Sequence, residues 1–502
     1  MPMETITMDL LLQKQAENFS DRQFLFFQAT GEVFTYQEFN DMSINVANLL
    51  LEMGVTKGDK VGVLLPNSIE FLAAYFGAIR AGAVVVPLNP SLKDLEIINI
   101  LLHSNAKVLI SNLPVLNGIR RMDQSSSELK HLLRADQLRD GIKRNHTMST
   151  KAPEIMPEDP ALILYTSGTT GDPKGVVLTH WNLISNATDI ATALNLGSDR
   201  IMCILPLHHT NGQIINVLSP LISGGSVVLC DAYNALSLPT FWESIEKYEV
   251  NVIDMVPTVL TMLLRLRSKR KTSLDSLKYI ICGAAPLTLE LQKQFEERFN
   301  CLVIQEYGLT EGTCVSTINS LSNNKRGSIG LPLKSNRIKI ANDQGVEVNV
   351  GEIGEILIRG DNVMKGYFKR PDLTNQIIIN GWLHTGDLGK TDQDGYVYIL
   401  GRKKDIIIKG GENIYPIDLE NVIGGHPSVS ECVVVGIPDE IYGENVKAYI
   451  VLKEGQVNVT PKNILSFCKG KLPLFWCPAI IEIVKFIPRT ASGKVIKRAL
   501  NP

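Results

Sequence analysis

The sequence predicts an α/β fold: a large N-terminal domain of parallel-rich sheets with helices plus a small β subdomain, then a small α+β C-terminal domain. Three observations predict it. At 502 residues the chain exceeds what one hydrophobic core usually serves. Short β-branched runs alternate with amphipathic stretches through most of its length, the pattern of parallel sheets covered by helices. From Gly351 onward the runs shorten and are bounded by Gly and Asp, which suggests an antiparallel subdomain.

In chain order, buried strands are predicted over 60–65, 83–88, 107–110, 161–165, 226–230 and 252–255. Helices are predicted over 35–53, 69–81 and 287–299. The stretch 112–157, rich in Ser, Asp, Asn and Arg, reads as the least ordered part of the large domain. In the subdomain, 355–359 and 395–400 read as strands. A further α/β pattern follows Gly401, with strands at 433–435 and 448–452. The domains are therefore drawn as 1–401 and 405–502, with 402–404 between them.

Composition narrows the function. A hydrophobic fraction of 44% and a charged fraction of 20% are those of a soluble globular protein. A net charge of −2 gives no reason to expect nucleic acid or an anionic membrane as the main partner. The exception is the basic run 265–271, whose alternatives are a solvated helix end and a peripheral membrane contact. Eight cysteines, at 203, 230, 282, 301, 314, 432, 468 and 477, form no Cys-x-x-Cys pair. They suggest neither zinc nor a redox motif, and read as buried, reduced thiols. Glu4 and Asp9 make a poor signal peptide, and no apolar run approaches a membrane span. A cytoplasmic protein is expected.

The chemistry starts at the candidate strand 161–165, which feeds Thr166, Ser167, Gly168, Thr169, Thr170 and Gly171, then Asp172, Pro173 and Lys174. Glycines let backbone N–H groups approach a phosphate, hydroxyls add donors, and Lys174 adds positive charge. A Walker loop requires the lysine directly after its last glycine. Here Asp172 and Pro173 intervene, so that reading fails.

The run instead resembles the signature of the adenylate-forming superfamily, which holds the acyl-CoA synthetases, luciferases and non-ribosomal adenylation domains. Further motifs follow in the same order. Gly283-Ala284-Ala285-Pro286 resembles the adenine-edge loop, and Gln305-Glu306-Tyr307-Gly308-Leu309-Thr310-Glu311 the second core motif. The resemblance implies that Tyr307 stacks on adenine, Thr310 binds the α-phosphate and Glu311 holds magnesium. It places Gly283, Ala284, Ala285, Glu306 and Gly308 on the nucleotide. Gly381 to Asp387 resembles the ribose motif, with Asp387 as acceptor for the two hydroxyls and Arg402 as its partner.

Pro488 to Lys494 resembles the last motif, whose lysine, here Lys494, bridges the acid carboxylate and the α-phosphate during attack. Its distance in sequence from the phosphate loop requires a mobile C-terminal domain. Lys404 matches the hinge, and Lys409, Gly410, Gly411 and Asn413 match the tunnel for a pantetheine thiol. The resemblance therefore implies ATP, Mg2+ and coenzyme A, with acyl-AMP as intermediate.

For the acid, Leu205 to Gly212 resembles the gate motif, with His209 beside the carboxylate and His208 as either a site or a core histidine. Asn211, Val256, Gly308 and Thr313 complete the predicted acid pocket. Amino-acid-activating relatives carry an Asp just after the gate. No carboxylate lies between His208 and Asn216, which argues against a buried ammonium there. The mostly apolar segment 255–260 suits a fatty or aryl acid, while Asn211 leaves room for a polar one. Alternatives are transfer to an acyl or aryl carrier protein, and a catalytically inactive nucleotide-binding relative. Retention of Lys494, Glu311 and the hydroxyl loop argues against inactivity. Nothing in the chain points to luciferase-type oxygenation.

Overall fold

In the computed structural model, residues 6–112, 128–142, 153–166, 174–232, 241–265, 274–456, 458–489 and 495–500 are described. Two large sheets dominate. In the nine-stranded sheet, Leu302–Tyr307, Tyr279–Cys282, Val252–Met255, Arg200–Cys203, Ser226–Leu229 and Gln23–Phe27 run parallel to one another. The seven-stranded sheet has Pro160–Thr166, Val84–Pro87, Lys60–Leu64, Ala106–Ser111 and His131–Arg134 as its parallel portion.

The largest core lies between these sheets. It takes Val63, Val85 and Leu162 from one, and Ile201, Val227 and Ile304 from the other. Ile69–Arg80 is buried on every side, as a helix apolar all round must be. Tyr36–Glu52 is started by a capping box between Thr35 and Glu38, so the predicted 35–53 span is the helix with its two caps. The third predicted helix begins at Leu289 rather than Leu287, because Thr288 accepts the Leu291 N–H as its cap.

Strand alternation decides which residues face which core. Ile253 and Met255 point to a second cluster on the outer face of the nine-stranded sheet, while Val252 and Ile281 belong to the inner one. Within 112–157 the described residues are more regular than expected. His131–Arg134 extends the seven-stranded sheet, and helix Ala135–Ile142 follows it. Leu133 and Leu138 supply the burial, 8% and 0% exposed, which the polar composition hid.

The subdomain is an antiparallel sheet of Asn336–Ala341, Gly354–Gly360, Trp382–Thr391, Ile378–Ile379 and Val397–Arg402. A 3-10 turn, Lys403–Asp405, leads into a last sheet of Glu412–Ile414, Ile407–Lys409, Gly443–Leu452, Val429–Asp439 and Ile480–Ile483. It has its own core around Ile407, Leu419, Val434 and Ile464. Seven of the eight cysteines are buried and all eight are free thiols.

Candidate active site

Thr166 ends strand Pro160–Thr166, and Lys174 opens Lys174–Thr179. The two are directly paired across an antiparallel ladder. Ser167, Gly168, Thr169, Thr170 and Gly171 join these ends and lie outside the described residues, as does Lys494. The flanks of the terminal motif pair with each other: Arg489 bridges Val495, and the Ile496 N–H donates to the Pro488 carbonyl at 2.9 Å.

Beside the loop base stands a residue that the sequence did not single out. Tyr367 donates from its hydroxyl to Glu311 Oε1 at 2.7 Å, and its ring lies 5.6 Å from Lys174 Nζ. Burial and then the Glu311 charge push the Tyr367 phenol above its usual range, so it remains a donor. The Gly-Tyr pair at 366–367, a two-residue strand against the phosphate-loop hairpin, was the available signal. A single carboxylate suits magnesium, which keeps several waters and takes its other oxygens from substrate phosphates. Among the described residues no cluster of three or more acidic, His or Cys side chains forms a metal cage.

Tyr307 is 8% exposed and donates to Asp387 Oδ2 at 2.7 Å. Arg402 Nε reaches Asp387 Oδ1, also at 2.7 Å. Strand pairing sets this up, because Asp387 and Arg402 face each other across the subdomain sheet. Burial, and then the Asp387 charge, drive the Tyr307 phenol well above its usual pKa. The adenine-edge loop follows strand Tyr279–Cys282, with Ala284 held at φ 63°, a costly region for alanine. Ala285 follows it in the same loop. Thr310 opens a 3-10 turn, Thr310–Gly312, which also carries Glu311.

The motif resemblance placed Glu306 on the nucleotide. Alternation along Leu302–Tyr307 turns it to the face opposite Tyr307, where it accepts from Asn211 Nδ2 at 3.2 Å. Gly283 makes this possible: a Cβ there would fall 1.7 Å from Glu306 Oε1. Asn211 also accepts a weak Cys314 thiol contact at 3.7 Å.

The rings of His208 and His209 lie 4.4 Å apart between centroids, tilted by 50°, and burial, followed by His209, takes His208 down to about 3. His208 Nε2 is buried without a partner. His209 precedes the short helix Thr210–Gln213. Two other predicted acid-pocket residues serve the framework. Thr313 is fully buried, and its hydroxyl donates to the Asn362 carbonyl at 2.6 Å. It centres a γ-turn at φ 68°, ψ −63°, closed by Cys314 N–H to Gly312 O at 2.8 Å. Val256, with Met255 and Leu260, packs in the outer core cluster, so the apolarity of 255–260 is largely that of a core. Gly308 packs its backbone against the Cys314 carbonyl.

Lys404 is exposed in the 3-10 turn, and its neighbour Asp405 pairs with Lys497 at 3.0 Å. Lys409 is 6% exposed, donates to the Phe475 carbonyl at 2.8 Å and lies over the Phe475 ring at 4.7 Å. Gly410 and Gly411 form the two-residue hairpin turn between Lys409 and Glu412, at φ 56° and 86°. Such a turn needs positive φ at both positions, which gives the glycines a structural reason. Asn413 pairs with Ile408 in the same hairpin. Arg265, the first residue of the basic run, donates to Ser430 Oγ and Glu431 Oε1 at 2.7 and 2.9 Å. The run's continuation, 266–271, lies outside the described residues.

The strand-paired loop ends, the tyrosine-braced Glu311 and the buried Tyr307–Asp387 pair capped by the more exposed Arg402 fit the class of adenylate-forming enzymes. The family models for the AMP-binding enzyme and for its C-terminal domain match residues 12–368 and 418–494. The chain belongs to the AMP-binding enzyme family, in its acyl-CoA synthetase branch, and is an AMP-forming acid–thiol ligase.

A crotonobetaine/carnitine–CoA ligase of Salmonella arizonae is 34% identical over 507 residues, covering 96% of each chain. The anthranilate CoA ligase AuaEII, solved with anthranoyl-AMP, superposes with a TM-score of 0.92 at 28% identity, over 99% of this chain and 97% of that one. The o-succinylbenzoate CoA synthetase MenE of Bacillus subtilis, solved with ATP and magnesium, gives 0.84 at 32% identity, over 98% and 99%. ATP and Mg2+ are its cofactors, and CoA is a substrate.

Proposed function

We propose that the motif residues perform the two half-reactions of an acyl-CoA synthetase in turn, as the sequence resemblance implies. In the first, a carboxylate oxygen of the acid attacks the α-phosphorus of ATP. The bond to the β-phosphate oxygen breaks, and pyrophosphate leaves. Lys494 orients the attack, Thr310 donates to the α-phosphate, and the 166–174 loop cradles the departing phosphates. Glu311, braced by Tyr367, holds the magnesium, which offsets charge between phosphates when bound. Asp387 and Arg402 hold the ribose, and His209 lies beside the acid carboxylate.

In the second half-reaction the C-terminal domain turns about residues 402–404, and the thiol of CoA enters past Lys409 and the 410–411 turn. Sulfur attacks the acyl carbonyl and AMP departs. The pairing of Asp387 with Tyr307 and Arg402 is the observation that carries this reading. It gathers the carboxylate assigned to the ribose, the aromatic assigned to adenine and the first residue of the hinge segment into one contact set. CoA is favoured over a carrier protein because the curated relatives are named CoA ligases. We place the protein in the cytoplasm on its eight free cysteines; among the described residues no helix is long and apolar enough to cross a membrane.

The test is ATP–pyrophosphate exchange and thioester formation with a panel of aliphatic, aryl and polar acids. Lys494→Ala is expected to abolish exchange while still accepting preformed acyl-AMP in the thioester step. Equal exchange in Lys494→Ala would overturn its role. Failure of every acid to release pyrophosphate would overturn the function.

A further inference from the structure

The two carboxylates that the gate sequence lacks arrive from elsewhere in the chain. Asp254 lies on Val252–Met255, and Glu306 on Leu302–Tyr307, two strands away in the same sheet. Register places Asp254 opposite Ile281 and Ile304, so it shares the inner sheet face with Glu306. Gly283, immediately after the strand between, Tyr279–Cys282, leaves the room that Glu306 crosses. Asp254 and Asn216 are each 0% exposed, and Glu306 is 4% exposed.

Asn211, the predicted acid-pocket residue, joins this set. Its amide donates to Glu306, and its backbone carbonyl accepts from Asn216 Nδ2 at 3.1 Å. The same Asn216 nitrogen donates to Asp254 Oδ2 at 3.2 Å. Asp254 Oδ1 and Asn216 Oδ1 are both buried without a hydrogen-bond partner. Orphaned buried acceptors are costly, and these two, one carboxylate oxygen and one amide oxygen, lie beside the Glu306 carboxylate and form a surface that wants donors.

We propose that Asp254, Asn216 and Glu306 form the specificity floor of the acid site, selecting a carboxylic acid whose far end donates hydrogen bonds: a hydroxyl, amide N–H or ammonium. This rests on the reading of the Asn211 region as the acid site. A methyl-ended acid would leave the acceptors unmet, and a dicarboxylic acid would place like charge against Glu306. Burial and the Glu306 charge raise the Asp254 carboxyl well above its ordinary value. Asp254 thus supplies either an acceptor or a shared proton, and Glu306 gives the site its preference for donors and cations.

The experiment compares matched acids ending in methyl, hydroxyl, ammonium or carboxylate, over short to medium chain lengths, on the full-length enzyme. At the best-accepted length, the hydroxyl or ammonium acid is expected to exceed its methyl analogue in kcat/KM by about a hundredfold. Glu306→Gln should reduce the ammonium preference by about tenfold, and Asp254→Asn should shift preference toward tails that accept hydrogen bonds. Rescue of the original ratio by Glu306→Asp separates specificity from simple loss of folding. A preferred methyl, aryl or dicarboxylic acid overturns the proposal, as does an unchanged ratio in both variants. If no acid at all supports pyrophosphate release, it is the acid-activating function that fails, a distinguishable result.

Discussion

Arg402 closes on Asp387 at 2.7 Å from the residue where the subdomain sheet ends and the chain turns toward the C-terminal domain. Under the proposed mechanism, the carboxylate assigned to the ribose is held by the first residue of the 402–404 hinge segment, so nucleotide binding and domain rotation would share a contact. Tyr307 holds the other oxygen.

Tyr307→Phe leaves the buried Asp387 carboxylate with one fewer donor, a loss of about 1–3 kcal/mol. The expected result is a lower melting temperature and a KM for ATP raised about tenfold, read by pyrophosphate exchange. Arg402→Ala should raise the ATP KM and also slow the thioester step. An effect of Arg402→Ala on ATP binding alone would separate the two roles.

Tyr367→Phe removes a charge-assisted hydrogen bond from Glu311. The expected outcome is a need for about tenfold more magnesium at half-maximal exchange, with the acid KM unchanged. A magnesium titration at saturating ATP checks this. An unaltered magnesium curve would show that Glu311 needs no brace.

Glu431 accepts from Arg265 at 2.9 Å and from Arg489 at 3.0 Å, so it ties the end of helix Pro257–Arg265 to the base of the terminal motif. Arg265 is half exposed, so the tie is worth about 1 kcal/mol or less and weakens with salt. Arg265→Ala is expected to change the ratio of adenylation to thioesterification rates by roughly two- to fivefold. Added salt should reproduce the change in the wild type and not in the variant, measured by single-turnover kinetics of each half-reaction.

His180 accepts the Met8 N–H at 3.2 Å, and burial brings it down to about 4 from 6.5. Its folded pKa is below its unfolded one, so the unfolded chain binds the extra proton between pH 6.5 and 4. Its contribution is complete above pH 6.5 and falls as pH drops, by an amount on the order of 3 kcal/mol. Asp254, raised in the fold, acts with the opposite sign, so the two are separated by difference. Against His180→Gln, the wild type should lose its stability advantage between pH 6.5 and 4, read by denaturant unfolding. A constant difference would refute the assignment.

Much of this was legible from sequence. The strand at 161–165 and the helix beginning at Ile69 were readable because burial writes continuous apolar runs and capping residues into local sequence. The motifs carrying Glu311, Asp387 and Lys174 stood out in sequence because binding of metal, ribose and phosphate, the roles proposed for them, would each demand particular residues at fixed spacing. Tyr367 was not, because a tyrosine in a short Gly-Tyr strand looks like many others until the fold sets it against Glu311.

Sequence by itself determined the chemistry: an α/β adenylate-forming enzyme with its nucleotide motifs in order. Only the tertiary structure decided what surrounds Asn211, the residue proposed to lie at the acid. Local reading searched for a carboxylate between His208 and Asn216 and took 255–260 as apolar lining. The fold instead turns Met255 outward and Asp254 inward, and brings Glu306 across Gly283 to Asn211. The reason is geometric. Side chains alternate faces along a strand, and neighbouring parallel strands lie about 5 Å apart however distant they are in sequence. A site assembled across three strands therefore leaves no contiguous trace in any one of them.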